Sequence, residues 1–123
     1  MKRILLAEDE EILRMLVVDT LEDSGFLIDE AADGQEALDL IVKNSYDLII
    51  LDYMMPVYTG LEVIGKIKIK ATREGTRIVM LSAKSQSYEQ EKVLAAGADY
   101  FISKPFSPAQ LLGKIEDILN GED

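Results

Sequence analysis

The sequence predicts a doubly wound α/β fold: a parallel sheet of five strands with helices on both faces. Two features of the sequence lead there. Short apolar runs alternate five times with segments of helical periodicity along the 123 residues. The runs are apolar without alternation and bounded by polar residues, which suits strands buried on both faces of a parallel sheet. Right-handed crossovers between parallel strands then place the connecting helices on both sides. In such sheets ligands sit beyond the carboxyl ends of the strands, near the point where strand order reverses.

Arg3 to Ala7 is the first strand, and Ile12, Leu13, Leu16, Val17, Thr20 and Leu21 form the apolar stripe of the first helix. Phe26 to Ala31 is the second strand, followed by a helix marked by Ala37, Leu38, Ile41 and Val42. Leu48 to Leu51 is the most apolar strand, and Leu61, Ile64 and Ile67 mark the third helix. Ile78 to Leu81 is the fourth strand, with a thinly apolar helix around Gln86 to Ala96 behind it. Tyr100 to Ser103 is the fifth strand and leads straight into Lys104. The last helix carries Leu111, Leu112, Ile115, Ile118 and Leu119, opened by Ser107 as N-cap and Pro108 at its first position. Asn120-Gly121-Glu122-Asp123 reads as its stop.

Composition narrows the chemistry. The length suits one domain, residues 1–123, and no shift in composition, repeat or linker divides it. A formal charge of −10 argues against direct nucleic-acid binding, which relies on clustered Lys and Arg. A protein partner is expected instead. No apolar run approaches the roughly 20 residues that span a bilayer, and no signal-peptide core opens the chain, so neither membrane insertion nor export is expected and the location is read as cytoplasmic. With no His and no Cys, serine-protease triads, thiol nucleophiles, zinc sites of imidazole or thiolate, and phosphohistidine on this chain are all excluded. Chemistry is left to carboxylates, hydroxyls and lysines.

Four groups fall at the ends of hydrophobic strands: Glu8-Asp9, Asp52, Ser82 and Lys104-Pro105. An acidic residue at the first of these places also suits a helix N-cap, an Asp or Ser after a strand is commonplace in turns, and a strand-end Lys is commonly solvated. Together they mean more. Two like charges about 4 Å apart repel by about 4 kcal/mol at an effective dielectric near 20, so three carboxylates at one sheet edge call for a cation. Oxygen-only donors favour Mg²⁺, or Mn²⁺, over softer metals. Asp52 then becomes a nucleophile able to accept a phosphoryl group. Ser82, with the Ala83 backbone N–H beside it, offers hydrogen bonds to phosphoryl oxygens. Lys104 would pair with Asp52 or phosphate. The bond before Pro105 is one whose cis form costs only about 0.5–1 kcal/mol, and that form would fix where Lys104 points.

The segments Ala7-Glu8-Asp9-Glu10, Leu51-Asp52-Tyr53-Met54-Met55-Pro56, Gly60, Leu81-Ser82-Ala83 and Lys104-Pro105-Phe106 resemble, in order and over the whole chain, the receiver domains of bacterial two-component response regulators, the chemotaxis receiver among them. The resemblance implies a flavodoxin-like (βα)₅ fold with strand order 2-1-3-4-5. It also implies a phosphorylation switch. Asp52 would attack a phosphohistidine on a sensor histidine kinase or phosphotransfer protein, with Mg²⁺ held by Glu8, Asp9, Asp52 and the Met54 carbonyl. Ser82 would then move toward the phosphoryl group and Phe101 turn inward behind it, altering a surface on the fourth helix, last strand and last helix. Lys84, Tyr88, Lys92, Phe101 and Leu111 are expected on that output surface, facing a downstream protein target; the bland reading of Phe101 is a core aromatic.

The chain departs from the family's commonest pattern in places. Glu8 stands for a more frequent Asp and is a methylene longer, which favours contact with the metal through water. Thr59 replaces a frequent acidic residue with no evident chemical consequence, and Ser82 replaces Thr while keeping the hydroxyl. Met54 and Lys84 occupy positions that influence attack of water on the phosphoryl group, and an apolar Met54 implies a long-lived phosphoryl state. Among other functions, a phosphatase of the haloacid dehalogenase type would carry D-x-D where this chain has Asp52-Tyr53-Met54. A flavin carrier would need a phosphate-cradling loop where Glu8-Asp9-Glu10-Glu11 stands. A phosphorylation-independent adaptor of the same fold has no residue in its favour.

Overall fold

A computed structural model gives the architecture. It describes residues 2–70, 75–83 and 87–120, without the side chains of 68–70 and 87–89. Five strands, β1 (Arg3–Ala7), β2 (Leu27–Ala31), β3 (Leu48–Asp52), β4 (Arg77–Ser82) and β5 (Tyr100–Ser103), alternate with five helices. The helices are α1 (Glu11–Asp23), α2 (Gly34–Lys43), α3 (Gly60–Lys70), α4 (Ser87–Ala96) and α5 (Pro108–Asn120). All strand pairs are parallel and the order is β2-β1-β3-β4-β5. The expected fold class and strand order are both observed.

The alternation of strand side chains splits the core in two. Leu5, Ala7, Ile49, Leu51 and Met80 face α2, α3 and α4, where Leu38, Ile41, Val63, Ile64 and Val93 meet them. Ile4, Leu6, Leu48, Ile50, Val79 and Leu81 face α1 and α5, against Val17, Leu21, Leu111 and Ile115. Every residue of β3 is buried, as an apolar central strand should be.

Two helical stripes differ from expectation. In α1 the buried side chains are Val17, Val18 and Leu21, whereas Ile12 and Leu16 are 75% and 49% exposed. At about 100° per residue, positions 12 and 16 lie beside 13 and 17 on the cylinder, yet the sheet covers the far side of that pair. Thr20 turns its hydroxyl back to the Leu16 carbonyl at 2.9 Å. In α2, Ala37, Leu38 and Ile41 are buried but Val42 is exposed. The strands shift only at their ends: β2 starts one residue later than expected, β3 reaches Asp52, and β4 runs from Arg77 to Ser82. Gln86 and residues 121–123, where the fourth helix was expected to begin and the last to stop, lie outside the described residues.

Helix starts follow their sequences. Ser107 Oγ accepts from Gln110 N at 3.1 Å while Gln110 Oε1 accepts from Ser107 N at 2.9 Å, so Ser107 caps α5 as expected. Thr59 and Glu62 make the same reciprocal pair at α3, at 3.1 and 2.9 Å. Thr59, expected to have no chemical consequence, is therefore the cap of the helix that follows the Asp52 loop. No described helix is long and apolar enough to cross a membrane.

Candidate functional site

Parallel pairing in register brings the strand ends together. Asp52 lies opposite Leu81, and Ser82 opposite Ser103, so the residues that follow β1, β3, β4 and β5 converge on one edge. The Tyr53 N–H donates to Leu81 O at 2.8 Å and the Lys104 N–H to Ser82 O at 2.8 Å, tying the first residue past each strand to its neighbour. The Lys104–Pro105 bond is cis. Gly60 closes the loop after β3: its N–H donates to Tyr53 O at 2.9 Å. A Cβ there would stand 2.6 Å from the Asp52 carbonyl oxygen, so only glycine allows this approach.

One carboxylate oxygen each from Glu8, Asp9 and Asp52 lies within 4.8 Å of the others. Glu8 and Asp52 are buried, while Asp9 is exposed at the rim. The alternative reading of Glu8 and Asp9 as helix caps is not observed. The N-cap of α1 is Glu10, without a side-chain cap bond, and Glu8 Oε2 instead accepts from Glu10 N at 3.1 Å. Glu8 is pinned through its backbone as well, its N–H donating to Ala31 O at 3.0 Å and its carbonyl accepting from Arg14 Nη1 at 2.7 Å.

Lys104 Nζ sits 3.1 Å from Glu8 Oε1 and 3.2 Å from Asp52 Oδ2, with Glu10 Oε1 farther off at 3.9 Å. Burial pushes the Asp52 carboxyl up to about 7, with the Glu8 charge adding to the rise and Lys104 opposing it. For Lys104, burial works to lower the pKa, but the Asp52 and Glu8 carboxylates outweigh it and the net direction is up. A cluster in which a buried carboxyl resists ionisation is an electrostatic setting that added positive charge would relieve. Three hard oxygen donors of this spacing fit a small divalent cation such as Mg²⁺.

Ser82 is buried at the end of β4, and Ala83 follows it exposed. Met54, two residues past Asp52, has a side chain 61% exposed. Phe101 lies opposite Met80 in the sheet and is half-buried against the α2–α3–α4 core. Of the remaining residues expected on the output surface, Lys92 is exposed, and Leu111 is 1% exposed. Leu111 points into the core from α5 and underlies that surface rather than forming it. Lys84 and the Tyr88 side chain lie outside the described residues. Sequence reasoning passed over Arg14, which bridges Glu8 O and, through Nε at 3.2 Å, Glu30 Oε1. Its i+6 spacing from Glu8 carries no local signal.

Comparison with known proteins agrees with this geometry. Residues 4–116 match the response regulator receiver domain family. The transcriptional regulatory protein DltR of Streptococcus agalactiae is 40% identical over 113 residues, covering 92% of this chain and 50% of that protein. The response regulator ArlR of Staphylococcus aureus is 40% identical over 119 residues, covering 97% and 53%. The chain thus spans about half the length of these curated relatives. Among solved structures, the chemotaxis response regulator CheY4 of Vibrio cholerae superposes with a TM-score of 0.91 at 34% identity, covering 97% of this chain and 99% of that one. The response regulator TrrA of Thermotoga maritima, solved in complex with Mg²⁺-BeF, gives 0.82 at 39% identity, covering 97% and 100%. Such domains receive phosphate from histidine kinases in two-component signalling. With four strand ends delivering acid, hydroxyl and ammonium to one edge and the match running nearly end to end, this chain belongs to the response regulator receiver domain family.

Proposed function

We propose that Asp52 is the phosphoacceptor of this receiver and that residues 1–123 act as one phosphorylation-controlled unit. The observation that carries the reading is the contact of Lys104 with both Asp52 and Glu8 inside a three-carboxylate cluster. An Asp52 oxygen attacks the phosphorus of a phosphohistidine on the partner kinase or phosphotransfer protein. The P–N bond breaks as the P–O bond forms, and the departing imidazole nitrogen keeps the electron pair and takes up a proton. Lys104, already beside the nucleophile, meets the negative charge gathered on the phosphoryl oxygens, with the Ser82 hydroxyl and Ala83 N–H as further donors. This is catalysis by positioning and electrostatics.

Mg²⁺, or Mn²⁺, held by Glu8, Asp9, Asp52 and the Met54 carbonyl, supplies the remaining positive charge when bound. Glu8 Oε2 accepts from the Glu10 N–H, while the buried Oε1 faces the Lys104 charge and has no hydrogen-bond partner among the described residues; the extra methylene of Glu8 favours its contact with the metal through water. The Mg²⁺-BeF complex of the Thermotoga relative favours the same assignment. We read the chain as a signalling phosphoacceptor rather than an enzyme acting on free substrate, and place it in the cytoplasm, where histidine kinases draw on ATP. A downstream protein, docked on α4, β5 and α5, reads the phosphorylated state. Incubation with acetyl phosphate and Mg²⁺ tests the assignment by intact mass: wild type gains one phosphoryl group and Asp52→Asn gains none. Equal labelling of both, or turnover of a small phosphate ester that depends on Asp52, overturns it.

A further inference from the structure

The loop from Tyr53 to Gly60 is bent in a way its sequence does not favour. Val57 has φ 73°, and across it the Tyr58 N–H donates to Pro56 O at 2.9 Å. A hydrogen bond spanning two residues over a positive-φ centre is the rarer, strained form of γ-turn. A β-branched side chain is poorly suited to that backbone region. Such a bend persists only where the surroundings hold it.

The holder is identifiable. Gly34, the buried first residue of α2, donates its N–H to the same Pro56 carbonyl at 3.1 Å. A Cβ built on Gly34 would run into the Tyr58 carbonyl oxygen and stand 2.6 Å from Tyr58 Cβ. The start of α2 is itself anchored: Asp33 Oδ1 accepts from Glu36 N and Glu36 Oε1 accepts from Ala32 N, each at 2.8 Å. The loop is therefore closed at its base by Gly60 and pinned at its tip by Gly34, with Met54 between.

We propose that Gly34, on α2 and outside the acidic cluster, is a positioning residue for the cation site, holding the Val57 turn so that the Met54 carbonyl is fixed relative to the Asp52 carboxylate. The inference rests on the reading of Asp52 as a Mg²⁺-dependent phosphoacceptor. Because coupling between sites is reciprocal, bound Mg²⁺ must in turn tighten the Gly34–Pro56 contact.

The test uses the unphosphorylated full chain and Mg²⁺ alone. In wild type, amide exchange of Gly34 is expected to slow about fivefold or more on Mg²⁺ saturation. Calorimetric Mg²⁺ titration of Gly34→Ala is expected to give a Kd weakened about tenfold. Gly65→Ala, whose added methyl meets nothing within 4 Å, stays within about twofold of wild type. Unchanged Gly34 exchange, or a folded Gly34→Ala with wild-type affinity, overturns the inference while Asp52-dependent Mg²⁺ binding leaves the functional reading standing. Wild type that binds no Mg²⁺, or binds it equally well as Asp52→Asn, brings down both. The wild-type exchange measurement decides the matter if Gly34→Ala does not fold.

Discussion

Asp52 is a residue whose folded environment works against its own charge. Its carboxyl is raised from 3.8 to about 7, by burial first and then by Glu8, against the pull of Lys104. Between those values the folded chain keeps a proton that the unfolded chain has released, so the Mg²⁺-free protein loses stability as pH rises from about 4 to about 7. At about 1.4 kcal/mol per unit, the loss is at most about 4 kcal/mol. Urea unfolding of Mg²⁺-free protein across this range should show the decline in wild type and a flatter profile in Asp52→Asn; parallel profiles would contradict the Asp52 shift. Met54 yields a second expectation. Its exposed thioether chain cannot orient a water molecule toward the phosphoryl group, so Met54→Asn should hydrolyse several-fold to about tenfold faster, roughly one hydrogen bond's worth of barrier. An unchanged phosphoryl half-life, followed by intact mass after donor removal, would show that Met54 does not set the lifetime. The convergence of Asp52, Ser82 and Lys104 on one edge was legible because each stands at the end of an apolar strand. The strain at Val57 was not, since backbone φ at a non-glycine residue depends on what packs around the loop.

At the scale of elements, alternation of apolar runs with helical segments was enough to place all five strands and five helices. A strand buried on both faces leaves a contiguous apolar run, and the sheet's parallel order follows from crossovers that must each carry a helix. What periodicity could not give is the side from which a helix is covered. Ile12 and Leu16 match helical spacing as well as Val17 and Leu21 do, but the sheet covers only one side of that row. Caps were readable and two were passed over: D-x-x-E at Asp33–Glu36, and T-x-x-E at Thr59–Glu62, which has the form of the Ser107–Gln110 pair that opens α5. Because the α3 cap immediately follows the pinned loop, Thr59→Ala should cost about 1 kcal/mol of stability. Thermal unfolding would measure it, and Thr59→Asp should recover most of the loss, since Asp caps as well as Thr. Failure of Asp to recover it would point to a role for the Thr59 methyl in packing rather than for its hydroxyl in capping.

Over the whole molecule, the proposed phosphoryl site and the proposed output surface share β4 and β5. Ser82 ends β4 opposite Ser103, and two residues earlier Met80 faces Phe101. Phe101 is half-buried against the core that includes Met80 and Val93. Val93 is the only fully buried side chain among the described ones of α4, so the described part of this helix is held to the sheet by few apolar contacts, as suits an element that a modest force would move. An aspartyl phosphate adds negative charge and acceptor oxygens at one end of β4, favouring any arrangement in which Ser82 and Lys104 turn toward it. A shift of Ser82 reaches Phe101 through a register one strand wide. It follows that ¹H–¹⁵N spectra after phosphorylation should change well beyond the Asp52 pocket, at Lys92, Leu94, Phe101 and the first turns of α5. In Phe101→Ala the chain should still take up a full phosphoryl group, because Phe101 touches none of the reacting atoms. The changes on α4 should shrink in that variant, because the side chain that links β5 to the α4 core is gone. Changes confined to residues around Asp52 in the wild type would mean that phosphate is bound without being transmitted, and the α4–β5–α5 surface would lose its claim as the output face.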